Sequence, residues 1–210
     1  MNRGVTYVAY GAEAIKECLA SIDSLKRSNP GLPVCVLTDE PRQFRNHAKH
    51  VCRYDGGKFG RNAKLNVDSL SPFDCTLYLD ADTRVYLPLD YPFQLLEMGF
   101  EFVATLSANQ GDLWLRHLKW EWVDATEEFI GYKSAAIQGG VFAFRKTPCV
   151  QAFFRHWRGY FEQGDGEHEQ DAMQKAWHVQ PMRAALIGRE WNGGAIVAHH
   201  YAQARRKDVK

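Results

Sequence analysis

The chain has 210 residues, 45% of them hydrophobic and 13% aromatic, so it can bury a sizeable core and reads as one domain. Its 26 basic and 25 acidic residues leave a formal net charge of +1. That balance gives no global field to attract nucleic acid or an anionic membrane surface. Arg205, Arg206, Lys207 and Lys210 form a small basic tail, which by itself reads as a solvated terminus.

Residues 4–10, GVTYVAY, read as a buried strand. Ile15, Leu19, Ile22 and Leu25 then recur at helical spacing, and Asn29-Pro30-Gly31 closes that helix. A second strand is expected over 32–40 and a short third one over 50–54. Residues 60–73, GRNAKLNVDSLSPF, look helical as far as Pro72, and the strand CTLYLDAD follows. Strand and helix therefore alternate, which argues for an α/β fold on a largely parallel sheet. The second half is less regular. Strands are expected at 100–106 and 136–146, helices from Pro148 and over 167–178, and short strands at RAALIG and AIVAHHY. Between them, DLWLRHLKWEWVD is aromatic and amphipathic. Trp114, Leu115, Leu118 and Trp122 share a helical face and read as a core stripe, whereas Trp120 lies off it and is the better candidate to meet an acceptor.

The five cysteines, Cys18, Cys35, Cys52, Cys75 and Cys149, show no metal spacing and read as reduced thiols. No signal peptide or membrane span is legible, so the expectation is a chain of the cytoplasm or another reducing compartment.

The sharpest local feature is TLYLDADTRVYLP at 76–88. Side chains two apart on a strand point the same way, so Asp80 and Asp82 face one side near the carboxyl end of a strand, where open α/β sheets bind ligands. Two neighbouring carboxylates repel, and a divalent cation between them removes that penalty. Oxygen ligands favour a hard ion such as Mg²⁺ or Mn²⁺. A solvent-facing turn explains the same residues, and so does a phosphatase of the haloacid-dehalogenase type with Asp80 as nucleophile. That type usually opens its chain with this strand, whereas two strand-helix units precede it here.

Together with four further stretches, this feature carries a resemblance. LYLDADT, IQGGVFAF, EQDAMQ, and WN followed by IVAHHYAQARRK occur in the order seen in the nucleotide-sugar glycosyltransferases of the glycogenin and lipopolysaccharide galactosyltransferase kind. The chain resembles that family over nearly its whole length. The resemblance implies a GT-A fold, a Rossmann-like α/β domain whose mostly parallel mixed sheet is flanked by helices. Residues 1–82 would form its nucleotide-binding half and 83–210 the half that completes the metal and acceptor sites.

It also implies a retaining, Mn²⁺-dependent hexosyltransferase, with Mg²⁺ as the alternative ion. The donor would be a UDP-sugar, UDP-glucose or UDP-galactose, and the acceptor a glycan or other hydroxyl compound. By resemblance the metal ligands are Asp80, Asp82 and His200, because His200 precedes the aromatic Tyr201. His199 and His200 point to opposite faces of a strand, so only one can ligate. Glu169, Gln170 and Asp171 would be the catalytic stretch, with Glu169 holding donor hydroxyls and Gln170 lying beneath the anomeric carbon. Tyr10, Gly11 and Asp39 would receive the base and ribose. Arg61, Lys64, Ala81, Gln138, Gly139 and Arg206 would complete the donor pocket. Gln138 stands where the family has Asn, Glu169 where it has Asp, and the family's lysine-containing ending is absent. Those departures keep a non-catalytic nucleotide-sugar-binding relative open as the alternative.

Overall fold

The structure, a computed structural model, describes residues 1–54, 61–107, 135–164 and 169–200, with the side chain of Arg61 left out. The first strand, β1 (Arg3–Ala9), leads through α1 (Ala12–Ser28) to β2 (Val34–Thr38). A 3-10 turn, Pro41–Phe44, precedes β3 (His50–Arg53). The expected helix after it is two short ones, α2 (Arg61–Leu65) and α3 (Val67–Leu70). Asn66 makes the break: its side-chain nitrogen donates to the carbonyl of Asn62 at 2.7 Å, the acceptor its own amide would use in a continuous helix. That amide bonds Ala63 instead.

Next come β4 (Cys75–Asp80), β5 (Thr83–Val85), α4 (Asp90–Glu97) and β6 (Phe102–Leu106). They are followed by β7 (Ile137–Arg145), α5 (Pro148–Gln163), α6 (Glu169–Val179), β8 (Ala184–Ile187) and β9 (Val197–His199). The patterning did not indicate β5 or α4. The aromatic stretch with Trp114, Trp120 and Trp122 lies outside the described residues.

Seven strands form one sheet in the order β3-β2-β1-β4-β7-β6-β8. Within this sheet, among the described residues, only β7 runs against its neighbours; the other pairings are parallel. From β1 the chain steps outward to β2 and β3, then returns to place β4 on the other side of β1. The carboxyl ends of β1 and β4 thus flank the point where strand order reverses, which is where such sheets leave a crevice. Alternation along β4 sends Leu77 and Leu79 to the core shared with α1 and α4, and Tyr78 to the core beneath α5 and α6. Tyr78 stacks on Phe142 at 4.7 Å between ring centroids.

Helix α5 positions two other elements. Thr147 caps its start by accepting from the Val150 amide, and Pro148 occupies the first turn, where its missing N–H costs nothing. From α5, Trp157 Nε1 donates to the Glu169 carbonyl at 2.6 Å, and Arg158 donates to the Leu65 carbonyl and to Asp68. The start of α6 and the end of α2 are therefore tied to one rigid helix. A shift of register marks β7 as well: Ala104 pairs with Phe142, yet Thr105 pairs with Gln138. Gly139, Gly140 and Val141 are skipped by β6, a bulge of the kind that re-aims chain beside active sites.

At the other end of β1, Gly4 leaves room for the Phe73 ring, whose nearest atom would stand 2.4 Å from an added Cβ. We expect Gly4→Ala to cost about 1–3 kcal/mol through overpacking. That is a fall of several degrees in Tm by differential scanning calorimetry, and an unchanged Tm would show that Phe73 can move aside.

Candidate active site

Asp80 ends β4, and its two oxygens face different surroundings. Oδ1 accepts from the Tyr78 hydroxyl at 2.7 Å and from Lys64 Nζ at 3.2 Å. Oδ2 lies 3.7 Å from His199 Nε2. The chain turns at Ala81 and Asp82 into β5, and Thr83 pins the turn. Its hydroxyl donates to the Asp80 carbonyl at 2.8 Å and sits 2.9 Å from Ser21 of α1, which in turn bonds the buried Tyr7 hydroxyl. Tyr7 is thus a core residue, as its place in the strand pattern suggests.

His199 comes from the far end of the sequence. Strand β9 pairs antiparallel with β5, placing His199 opposite Thr83. Its Nε2 is 2.9 Å from Asp82 Oδ1, and its Nδ1 is 2.8 Å from Asn192 Oδ1. Asp80, Asp82 and His199 each offer a ligand atom, all within 4.8 Å of one another. This corrects the expectation for His200. Alternation along β9 turns that side chain outward: His200 is exposed, and its contact with the pair is a backbone amide donated to the Asp82 carbonyl. Two carboxylates and one imidazole suit a hard-to-borderline divalent ion such as Mn²⁺, and Mg²⁺ less well.

Lys64, nearly buried on α2, sits between Asp80 and Glu169, its Nζ 3.4 Å from Glu169 Oε1. Burial pulls its pKa down, but the charges of Asp80 and Glu169 and the hydrogen bonds to them outweigh that and hold it above its ordinary value. Lys64 is therefore a fixed positive charge shared between the two carboxylates. Gly139 lies against it: a Cβ there would stand 3.3 Å from Nζ. The two glycines expected at the start of β7 serve the site from consecutive positions, because Gly140 adjoins His199 instead.

The remaining expected residues spread around this centre. Gly11, with φ of 81°, opens α1 and donates its amide to both oxygens of Asp39 at 3.3 Å, so the carboxyl ends of β1 and β2 are joined. Tyr10 donates its hydroxyl to the Tyr54 carbonyl on the same edge. Gln170 donates to the Ile137 carbonyl at 3.3 Å, Asp171 is buried in α6, and Gln138 donates to Ser107 at 3.4 Å. Arg206 lies outside the described residues, as do Arg205 and Lys207. Sequence reasoning missed the roles of Tyr78 and Asn192; the Trp191-Asn192 pair was visible only as a motif.

No known family model matches this sequence, and neither does any curated protein. Solved structures do match. The chain aligns with the galactosyltransferase LgtC in complex with donor and acceptor sugar analogues at a TM-score of 0.61 and 14% identity, covering 96% of this chain and 81% of that one. It aligns with the glycosyltransferase GlyE of Streptococcus pneumoniae at 0.63 and 15% identity, covering 91% of this chain and 46% of that one. With the bifunctional glycosyltransferase WbbM the values are 0.62 and 18%, covering 91% and 39%. The chain has the GT-A glycosyltransferase fold. It spans most of LgtC but less than half of GlyE and WbbM. In this GT-A domain the Asp80–Asp82–His199 cluster stands at the carboxyl edge of the sheet, at the reversal of strand order.

The His199 ring carries a pH signature. Burial would lower its pKa, but the hydrogen bond to Asp82 and the charges of Asp80 and Asp82 outweigh burial and raise it above the ordinary 6.5. A protonated His199 therefore stabilises the metal-free fold fully below that ordinary value, and the contribution is lost as pH rises through the raised one. We expect thermal unfolding of metal-free protein to show stability falling across that window, and His199→Gln to flatten the dependence. An identical pH profile in the variant would mean the ring does not hold the pair.

Proposed function

We propose that this protein is a retaining, metal-dependent hexosyltransferase that moves a sugar from a nucleoside diphosphate, UDP-glucose or UDP-galactose, to a hydroxyl acceptor. One observation carries the reading: two carboxylates from the end of β4 and an imidazole far along the chain converge at the ligand-binding edge of a GT-A sheet. The donor set fits Mn²⁺, which Asp80, Asp82 and His199 would hold. When bound, that ion acts as a Lewis acid that stabilises the leaving diphosphate.

The chain's own residues account for the rest. The Gly11–Asp39 junction and Tyr10 would receive ribose and base, since they line the same strand ends. Arg61 and the basic Arg205, Arg206 and Lys207 would share the diphosphate charge. Glu169, its charge balanced by Lys64, would orient donor hydroxyls. Gln170 would lie beneath the anomeric carbon, with its amide nitrogen anchored on the Ile137 carbonyl. An amide is a weak nucleophile, so the acceptor attacks from the face the diphosphate leaves. A phosphate oxygen takes the acceptor's proton, and configuration is retained.

The test is turnover of UDP-sugars with and without Mn²⁺. We expect hydrolysis or transfer that requires the ion, a loss of at least 100-fold in Asp82→Asn and His199→Ala, and near-normal rates in His200→Ala. Metal-dependent binding without turnover would favour a nucleotide-sugar-binding protein. Release of phosphate from simple monoesters, abolished by Asp80→Asn, would favour a phosphatase.

A further inference from the structure

Asn192 is nearly buried, just after the second 3-10 turn (Arg189–Trp191), and its side chain does two unlike things. Its Oδ1 is 2.8 Å from His199 Nδ1. Its Nδ2 is buried with no hydrogen-bond partner, and it is the one such side-chain atom among the described residues. An unsatisfied buried donor costs about 1–3 kcal/mol, so an aliphatic residue of the same size would be the cheaper choice unless the oxygen is needed. The oxygen has a use. A neutral imidazole carries one proton and one lone pair, and whichever nitrogen is protonated cannot ligate a metal. An oxygen beside Nδ1 can only accept, so it holds a proton there, and the proton that Nε2 donates to Asp82 is the one a metal ion would replace.

Gly140 supplies the space. A Cβ at that position would stand 2.7 Å from His199 Cε1, 2.9 Å from Nδ1 and 3.1 Å from Asn192 Nδ2. The ring and the amide both lie against bare backbone of the β7 bulge. Resting on the proposed metal-dependent reading, we propose that Asn192 is a positioning residue: it fixes the tautomer and plane of His199 as a metal ligand, with Gly140 as the floor on which both lie. Hydrogen bonds that orient a ligating histidine are typically worth 10–100-fold in metal affinity.

The experiment is Mn²⁺ binding, read from the free-ion signal in electron paramagnetic resonance, to four proteins: unmodified, Asn192→Leu, Asn192→Asp and Gly140→Ala. Circular dichroism of the metal-free proteins reports folding. We expect Asn192→Leu and Gly140→Ala each to weaken binding about 10–100-fold. Asn192→Asp keeps the accepting oxygen and should restore affinity to within a few-fold of the unmodified protein. A merely structural asparagine would weaken binding equally as Leu or Asp, and that result would overturn the assignment. Leu binding as tightly as Asn would overturn it too. Should Asn192→Leu fail to fold, the Asp variant decides alone, since poor binding by a folded Asn192→Asp contradicts the proposal. If the unmodified protein does not bind Mn²⁺, it is the metal-dependent reading that falls. In that case nitrogen-15 spectra of the His199 ring still report whether Nδ1 carries the proton facing Asn192, and a bare Nδ1 would overturn the hydrogen bond itself.

Discussion

Two carboxylates at the end of a buried strand require positive charge nearby, and much of this fold is arranged around supplying it. Asp80 and Asp82 are held close by a turn that Thr83 pins to α1. Left alone, the pair would repel. Lys64 meets Asp80 from one side and His199 meets both aspartates from the other. The two counter-charges differ in kind. Lys64 is buried, paired twice and permanently charged, whereas His199 can give up its proton and become a ligand. A cation held by the cluster, as proposed, would replace that proton and leave Lys64 in place.

The scaffold explains how residues so distant in sequence meet. Helix α5 ties down both α2, which carries Lys64, and α6, which carries Glu169, through Arg158 and Trp157. The β5–β9 ribbon brings His199 over the aspartates. The bulge in β7 presents consecutive glycines to Lys64 and His199, two groups that regular alternation would not serve from adjacent positions. Side chains at either position would meet the charges that the carboxylates need.

Much of this was legible in the sequence. The parallel α/β half follows from alternating apolar strands and helical spacing, and the carboxylate pair follows from an apolar run ending in Asp80 and Asp82. Lys64, Gly139 and Glu169 were singled out by resemblance, and they do gather at one place. What failed were features that depend on register. His200 was preferred because an aromatic residue follows it, but a three-residue strand paired to β5 turns its neighbour His199 inward. The break at Asn66 depends on a side chain competing for one carbonyl, which periodicity does not register. Asn192 acts through a hydrogen bond seven residues along, across a turn with Gly193 and Gly194 that has no pattern to read.

The central claim is that Asp80, Asp82 and His199, and not His200, form a metal centre beneath a nucleoside diphosphate. The most direct measurement is a crystal of the protein grown with Mn²⁺ and UDP, with diffraction recorded at the manganese absorption edge. The account requires one anomalous peak within ligand distance of both aspartates and of His199 Nε2, with the diphosphate on its open side. A peak bound through His200, or none between the two aspartates, would contradict it.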